Sequence, residues 1–144
     1  MNSTLINFGF PESIVKSYDH WSVLLRPQQT TLGSLVLACH SEAQAFAQIP
    51  PEAMTELSSI IKDIESTLAH CFQYDKINYL MLMMVDPHVH FHVIPRYSNS
   101  RKHQSIIATD ANWPGPPNLG EEITISPNQK DELLKFIKNQ WILN

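Results

Sequence analysis

The chain contains little cysteine, little charge and no long apolar segment. No apolar run approaches the roughly 20 residues that cross a bilayer, so we expect no membrane partner. The first residues, MNSTLINFGFPES, lack a basic segment followed by a long apolar stretch, and we therefore expect no secretory signal. The only cysteines, Cys39 and Cys71, are too few for a disulfide framework. We expect two buried free thiols and a reducing, cytoplasmic location.

The charge balance excludes proteins that coat nucleic acid. Ten lysines and arginines stand against 14 aspartates and glutamates, which gives a formal net charge of −4. Proteins that cover nucleic-acid backbones usually carry a basic stripe, so we expect no nucleic-acid partner. The 144 residues, 43% of them hydrophobic, are typical of one globular domain, which we assign to residues 1–144.

Apolar periodicity predicts the main elements of the first half of the chain. Residues 18–25 (YDHWSVLL) and 34–39 (SLVLAC) are typical of two antiparallel strands, and residues 41–47 of a brief helix. After Pro50 and Pro51 comes a long helix. Its apolar stripe, which we assign to the core, consists of Met54, Leu57, Ile60, Ile61, Ile64, Leu68 and Cys71.

The second half of the chain begins with residues 76–85, KINYLMLMMV, whose continuous apolar run predicts a central strand covered on both faces. A break at Asp86 returns the chain as an antiparallel neighbour. Residues 111–120, with three prolines and two glycines, predict an ordered loop or a linker, and Ser126 caps a C-terminal helix. The sum is an α+β fold: a mainly antiparallel sheet with one long helix packed on it and a C-terminal helix.

Three of the seven histidines, His88, His90 and His92, occupy alternate positions in the stretch DPHVHFHVIPR, residues 86–96. Successive side chains of a strand point to opposite faces, so a strand places all three imidazoles in one row. A helix would fan the rings out by about 200° for each step of two residues, and no shared site would form. The spacing therefore predicts a strand with one histidine face.

A row of imidazoles can perform nucleophilic catalysis on phosphorus. Free imidazole has a pKa of about 6.5, so at neutral pH it is mostly an uncharged nucleophile. Attack on phosphorus expels the leaving group and forms a nucleotidyl phosphoramidate, which water cleaves in a second displacement. The rings cannot all be protonated without repulsion. A neutral ring can therefore attack while a cationic neighbour attracts phosphoryl oxygens or protonates the leaving group.

The stretch HVHFHVI, residues 88–94, resembles the signature of the histidine-triad (HIT) superfamily, in which three alternating histidines are separated by apolar residues and followed by two more. A hairpin, a long helix, an apolar strand and then the triad also follow the order of elements in that family. The resemblance covers roughly residues 10–97 and leaves a C-terminal loop and helix at 98–144.

This resemblance implies a HIT-like fold and a nucleotide-binding enzyme. The implied reaction is hydrolysis or transfer at an α-phosphate through a covalent nucleotidyl-histidine, with dinucleoside polyphosphates or nucleoside phosphoramidates as substrates. By resemblance His90 is the nucleophile, His92 contacts the phosphate, and His88 orients the site. No cofactor is expected beyond Mg²⁺ held by the substrate phosphates. Family members are often homodimers, so we expect a homodimer.

Two departures from the family bear on substrate binding. Many members carry a Gly-, Gln- and Ser- or Thr-containing loop just before the triad, but residues 80–87 read LMLMMVDP. Asn78 is the nearest polar candidate for substrate binding, or it caps the strand edge. Arg26 occupies the position where an asparagine or aspartate often reaches the ribose. Because arginine only donates hydrogen bonds, Arg26 suits a phosphate better than a ribose.

Other side chains are weaker candidates for substrate binding, each with a structural alternative. Leu24, Leu35 and Leu37 either line an apolar slot for a base or belong to the core. Arg96, at the end of the histidine strand, either meets a phosphate or lies on the surface. Trp113 either stacks on a base or plugs its loop.

Two other functions are alternatives to the nucleotidyl-histidine enzyme. Alternating histidines on a strand also bind zinc, so one alternative is a zinc-dependent hydrolase that uses two of them and a distant His, Asp or Glu. It predicts bound zinc and activity lost on chelation, whereas the triad mechanism survives EDTA. The other alternative is a non-catalytic nucleotide-binding protein, which the missing polar loop favours.

Overall fold

The structure, a computed structural model, describes residues 1–142, so the part of the predicted C-terminal helix region beyond Ile142 lies outside the described residues. Of Ile142 itself only the backbone is described. In chain order the elements are α1 (Ser3–Asn7), β1 (Ile14–Ser17), β2 (Trp21–Leu25), β3 (Leu35–Cys39), a 3₁₀ turn (Phe46–Gln48), α2 (Pro51–Phe72), β4 (Lys76–Leu80), β5 (His90–Arg96), β6 (Arg101–His103), β7 (Ile106–Ala108) and α3 (Pro127–Ile142).

Five strands form one sheet in the order β1-β2-β3-β5-β4. Every neighbouring pair in this sheet is antiparallel, and β6 and β7 form a separate antiparallel pair. The predicted α+β fold, a mainly antiparallel sheet with a long helix and a C-terminal helix, is therefore confirmed. Among the described residues, no helix is long and apolar enough to cross a membrane.

Helix α2 forms where its apolar stripe predicts it. Pro51 stands at the first helical position and Glu52 lies in the first turn, where a carboxylate suits the positive end of the helix dipole. Gln73, with φ 47°, ends the helix in the left-handed region. The prediction for Met54 is wrong: its side chain is 43% exposed, because the buried stripe is narrower than the apolar pattern. The buried positions are Ala53, Leu57, Ile60, Ile64, Thr67, Leu68 and Phe72.

The main core lies between α2, α3 and one face of the sheet. Gly33, just before β3, shows how closely these elements approach. Its φ is 84°, and a Cβ built on it would lie 2.7 Å from a ring carbon of Phe72. At the other end of the fold, Ser126 Oγ accepts from the Gln129 N–H, and the Gln129 side chain accepts from the Ser126 N–H. This reciprocal cap confirms the predicted start of α3.

The prediction of a central strand over residues 76–85 is wrong. Strand β4 ends at Leu80 and is the edge of the sheet, so only β5 pairs with it. The last pair of β4 with β5 is Leu80 with His92, and pairing stops there although β5 continues to His90. Residues 81–85 leave the sheet as a loop with three exposed apolar side chains: Leu82 at 50%, Met84 at 85% and Val85 at 91%.

Three further differences concern short elements and cysteine burial. The brief helix expected at residues 41–47 is only a 3₁₀ turn at Phe46–Gln48. Helix α1 and strand β1 were not predicted, because neither is long enough to show a period. Both cysteines are free thiols, but only Cys39 is buried, since Cys71 is partly exposed.

Candidate active site

The site lies on the face of the sheet opposite α2. On β5, His90 is paired with Ala38 and His92 with Val36 of β3. Because side chains alternate along a strand, both histidines point to this second face, while Phe91 and Val93 join the α2 core. The prediction that all three histidines lie in one row on the strand is wrong for His88. His88 precedes β5, in a bend, and its ring is held elsewhere.

His90 is oriented by the backbone of the triad itself. Its Nδ1 lies 2.7 Å from the His88 carbonyl oxygen. A carbonyl can only accept, so Nδ1 carries the proton and, in the neutral ring, Nε2 carries the lone pair. Among residues 1–142 no group bonds this Nε2, and His90 lines a cavity. The neutral ring of His90 therefore has its lone pair on Nε2 and lies in the lining of the cavity.

His92 is held in the opposite tautomer. The Arg26 Nε–H donates to His92 Nδ1 over 3.3 Å, so Nδ1 carries the lone pair and the neutral ring keeps its proton on Nε2. Burial lowers the pKa of His92 to about 4, and the adjacent Arg26 and His90 add to the effect. The His90 and His92 ring centroids are 5.1 Å apart, nearly perpendicular. One ring thus offers an acceptor nitrogen and its neighbour a fixed donor.

His88 acts through contacts away from the cavity. Its Nε2 lies 3.2 Å from a carboxylate oxygen of Glu42, and its Nδ1 lies 3.0 Å from Thr4 Oγ1. Thr4 Oγ1 also accepts the backbone N–H of His88. These bonds fix the bend before β5 and, with it, the carbonyl that orients His90. The structure therefore places His88 beside the site rather than inside it.

The N-terminal segment covers the histidine face. The ring of Phe8 lies 5.3 Å from that of His90 and 5.7 Å from that of His92, between centroids. Leu5 of α1 packs on Leu24, Val36 and Ala38 in a small second core. Leu5 thereby removes these three sheet residues, which lie on the histidine face, from water.

The three leucines proposed to line a base slot do not reach the cavity. Leu24 shares the histidine face, but it has no exposed surface and lies beneath Leu5. Leu35 and Leu37 lie on the other face, in the α2 core, because they flank Val36 on β3 and neighbouring side chains of a strand point to opposite faces. The alternative interpretation, that these leucines belong to the core, is the correct one for all three.

The cavity beside the two histidines has a volume of about 220 Å³. Its lining includes Phe8 and Arg26 and the loop that follows β4. Arg26 and Asp86 are its two charged side chains, and Asn7 Nδ2 donates to Asp86 Oδ1 over 2.8 Å. The lining residues are Phe8, Arg26, Leu82, Met83, Met84, Val85, Asp86, His90 and His92.

Arg96 is not a surface residue. It is 3% exposed, and it bonds both oxygens of Asp110, at 2.7 and 3.1 Å. Two more of its N–H groups bond Asn78 Oδ1 at 2.9 Å and the Gly115 carbonyl at 2.8 Å. The Asp110 loop thus folds back over the end of β5. The alternative of a surface position is wrong, and phosphate binding by Arg96 stays a prediction.

Asn78 and Trp113 lie with Arg96 at the far end of the same sheet face. Asn78 is paired with Ile94, so it points to the histidine side but lies beyond His92. Together with Lys76 and the loop at 113–116, these side chains line a second cavity of about 410 Å³. The structure does not bring Asn78 or Trp113 into the cavity of the histidines.

Several site residues were missed by sequence reasoning. Phe8, Thr4 and Glu42 lie far from the triad in the chain, and no local pattern marks them. Asp86 is adjacent to the triad but was treated only as a turn residue. The zinc alternative required a distant ligand, yet among residues 1–142 no group of three or more His, Cys, Asp or Glu side chains could hold a metal ion.

The site thus consists of two histidines on one face of an antiparallel sheet, one with a free acceptor nitrogen and one with a donor nitrogen, beside a cavity. Comparison with known proteins gives the class of protein that carries it. The family model described as HIT domain matches residues 11–99. This is more than half of the chain, so the protein belongs to the HIT family. The recognition made from the triad and the order of elements is confirmed.

Solved structures show the same fold at low sequence identity. A histidine triad (HIT) protein from Sinorhizobium meliloti is 18% identical, with a TM-score of 0.74 over 100% of this chain and 95% of that one. A hypothetical histidine triad nucleotide-binding protein from Sulfolobus tokodaii is 15% identical, with a TM-score of 0.71 over 97% and 90%.

Plasmodium falciparum diadenosine triphosphate hydrolase is also similar in fold. It is 13% identical, with a TM-score of 0.65 over 90% of this chain and 76% of that one. No curated protein sequence matches the chain significantly.

Proposed function

We propose that this protein is a nucleotide hydrolase or nucleotidyl transferase that acts at an α-phosphate through a covalent nucleotidyl-His90. The observation that carries the proposal is the bond between His90 Nδ1 and the His88 carbonyl, which leaves the lone pair on Nε2 of a ring that lines the cavity. A polar strand face without catalysis would not need one fixed tautomer. The names of two similar structures, a nucleotide-binding protein and a diadenosine triphosphate hydrolase, support the nucleotide substrate.

The reaction begins with attack of His90 Nε2 on the α-phosphorus. The new N–P bond forms as the bond from phosphorus to the leaving group breaks, and the leaving group takes that electron pair. His92 Nε2–H donates a hydrogen bond to a phosphoryl oxygen as negative charge increases there. Because its pKa is lowered to about 4, His92 is a neutral donor near pH 7 rather than a cation. Arg26, adjacent to His92, supplies the positive charge.

The second displacement returns the enzyme to its starting state. A water molecule, or another acceptor in the transferase case, attacks phosphorus and gives up its proton to the departed leaving group or to solvent. The N–P bond breaks at the same time, and its electron pair returns to His90 Nε2. Only this chain's side chains are needed, and Mg²⁺ enters only with the substrate phosphates. We also propose a homodimer, a cytoplasmic location and no membrane partner. We propose no nucleic-acid partner, because the net charge is −4.

The test is the turnover of adenosine phosphoramidates and dinucleoside polyphosphates by His90→Ala, compared with the unmodified protein. We expect kcat to fall by about 10³-fold or more. The matched control is His70→Ala, a histidine of α2 that lies outside the site, which should leave turnover unchanged. Denaturing mass spectrometry after rapid quenching should show a nucleotidyl adduct on His90. Full activity of His90→Ala would end the proposal.

The same turnover assay, with EDTA treatment added, distinguishes the zinc-dependent hydrolase from the non-catalytic nucleotide-binding protein. Activity that disappears after EDTA treatment and returns with zinc, using a substrate without a polyphosphate, would indicate the zinc-dependent hydrolase. Nucleotide binding with neither turnover nor adduct in the unmodified protein would indicate the non-catalytic binding protein.

A further inference from the structure

Part of the cavity lining has an unusual composition for a phosphate site. It is formed by residues 82–85, LMMV, which we name the apolar rim. Three of its four side chains, Leu82, Met84 and Val85, are at least half exposed to solvent. Exposed apolar side chains at the mouth of a cavity indicate an apolar ligand group, because binding such a group removes both surfaces from water.

The position of the apolar rim is fixed beside the reacting nitrogen. It follows the last pair of β4 and ends at Asp86, which Asn7 of α1 holds by a hydrogen bond of 2.8 Å. Within it, Met83 adopts a φ of 50°, in the left-handed region, which turns the chain away from the sheet edge. The rim and the two histidines therefore line one continuous cavity.

The charges of the cavity do not suit a chain of phosphates. Arg26 and Asp86 are its only charged side chains among the described residues, and they have opposite sign. Arg26 is already engaged: Nε bonds His92, and Nη1 bonds the Gln28 carbonyl and Thr30 Oγ1. One α-phosphate can be neutralised beside Arg26, but additional phosphates of the leaving group would meet apolar side chains and the Asp86 carboxylate.

We propose that the apolar rim binds the leaving group of the substrate, and that this group is an apolar alkyl or aryl arm rather than a polyphosphate. The substrate class is thereby a nucleoside monophosphate linked to an apolar amine or alcohol. This inference rests on the proposed function for the position of phosphorus at His90. It adds the chemistry of the arm that departs.

Binding tests the inference without turnover. We would titrate His90→Ala with three ligands by calorimetry: the hexyl ester of AMP, the 5-hydroxypentyl ester of AMP, and diadenosine tetraphosphate. The two esters have arms of equal length and differ only at the tip. Burial of the terminal methyl group strengthens binding about fourfold, and burial of a hydroxyl at the same place also costs its desolvation. We therefore expect the hexyl ester to bind about tenfold more tightly than the hydroxyl ester. Diadenosine tetraphosphate should bind more weakly than the hexyl ester.

Equal affinity for the two esters would overturn the inference. Tighter binding of diadenosine tetraphosphate than of the hexyl ester would overturn it as well.

Variants locate the preference on the apolar rim. The double variant Leu82→Ser/Met84→Ser, in the His90→Ala background, should reduce the ratio between the two esters to about one and leave AMP affinity unchanged. The matched control is Ile107→Ser, an exposed apolar side chain of β7 (69% exposed) outside this cavity, which should keep the ratio. A ratio that the rim variant leaves unchanged would contradict the proposal.

Light scattering on the same samples excludes an indirect effect. Should the rim variant alter the oligomeric state and weaken all ligands equally, the rim is an interface between chains and the inference is wrong.

Turnover separates this inference from the proposed function. The unmodified protein is given the hexylamine phosphoramidate of AMP and its 5-hydroxypentylamine counterpart, whose leaving amines are of similar basicity. Turnover of both with equal kcat/KM would overturn the inference and leave the proposed function standing. Absence of turnover and of the His90 adduct, together with a preserved binding preference, would overturn the proposed function alone.

Discussion

Two arginines on the same face of the sheet, Arg26 and Arg96, have opposite surroundings. Arg96 bonds a carboxylate in a bidentate pair, and Asn78 and Gly115 accept two more of its N–H groups. Arg26 bonds carbonyl and hydroxyl oxygens and one nitrogen of His92, but no carboxylate among the described residues. Both were candidates for phosphate binding, since the sequence around them does not reveal their partners.

The difference separates a structural cation from one that acts on the site. The charge of Arg96 is cancelled by Asp110, so the pair holds β5 to the loop over its end. Burial alone would raise the pKa of Asp110, but the bonds from Arg96 and Tyr97 hold it below its ordinary range. Arg26 has no carboxylate partner among the described residues, so its charge acts on His92 and on the cavity that it lines. Burial lowers the pKa of Arg26, although Glu122 opposes the effect.

The largest effect is expected from breaking the Arg96 pair. Asp110→Asn leaves a buried guanidinium without its counter-charge, so we expect the free energy of unfolding to fall by about 3–5 kcal/mol. Urea denaturation measures it. Asp75→Asn, at the exposed Arg101 pair, is the control and should cost much less, because water screens that pair. Equal losses in both variants would show that the burial of Arg96 is unimportant.

The next effect is the acid sensitivity of His92. Its pKa is about 4 in the folded protein and about 6.5 when unfolded, so the unfolded chain binds more protons below pH 6.5. Stability is therefore fully present above pH 6.5 and falls by up to about 3 kcal/mol as the pH approaches 4. The charged groups that act on His92 are Arg26, His90 and Asp86.

Denaturation at pH 7, 5.5 and 4.5 checks this acid sensitivity. His92→Gln should flatten the decline, and the control His70→Gln should keep it. A decline of the same steepness in His92→Gln would assign it to other groups.

Removing Arg26 should act on the reaction more than on the fold. In Arg26→Gln we expect kcat/KM to fall by about 10- to 100-fold, the loss of one charge-assisted hydrogen bond. The pKa of His92 should rise, because one of the charges that lowers it is gone. NMR titration of His92 gives that pKa, and Arg26→Lys should restore part of both quantities. An unchanged His92 titration in Arg26→Gln would show that burial alone sets its pKa.

The smallest effect concerns Thr4, which bonds both the ring and the backbone of His88. Thr4→Val keeps the shape but removes the hydroxyl, so we expect a loss of about 1–2 kcal/mol and a several-fold fall in kcat as the His88 carbonyl loses its support. Thr55→Val, whose hydroxyl bonds the backbone within α2, is the control for stability. An unaltered kcat in Thr4→Val would show that the contact of α1 with His88 does not affect catalysis.

The parts of the fold with a clear period were predictable. Helix α2 buries one stripe, and β5 alternates histidines with core residues, so both can be derived from local spacing. Residues 76–85 show where this reasoning fails. A continuous apolar run describes a buried strand equally well as an edge strand followed by an exposed loop, and only the position of β5 decides.

The site was predictable only in part, for the same reason. His90 and His92 are two residues apart, so strand geometry alone aligns them. Thr4 and His88 are 84 residues apart, and Arg26 and His92 are 66 apart, so neither contact has a local signal. The role of Arg96 depended on Asp110, whose loop carries no pattern that predicts its path.

The sequence by itself determined the histidine face, the long helix and the family, because each follows from the repeat of a strand or a helix. The tertiary structure decided which arginine is paired with a carboxylate, which histidine lies outside the cavity, and that an apolar loop borders the cavity of His90 and His92. Those outcomes depend on contacts between distant segments, whose energies exist only once the chain has folded.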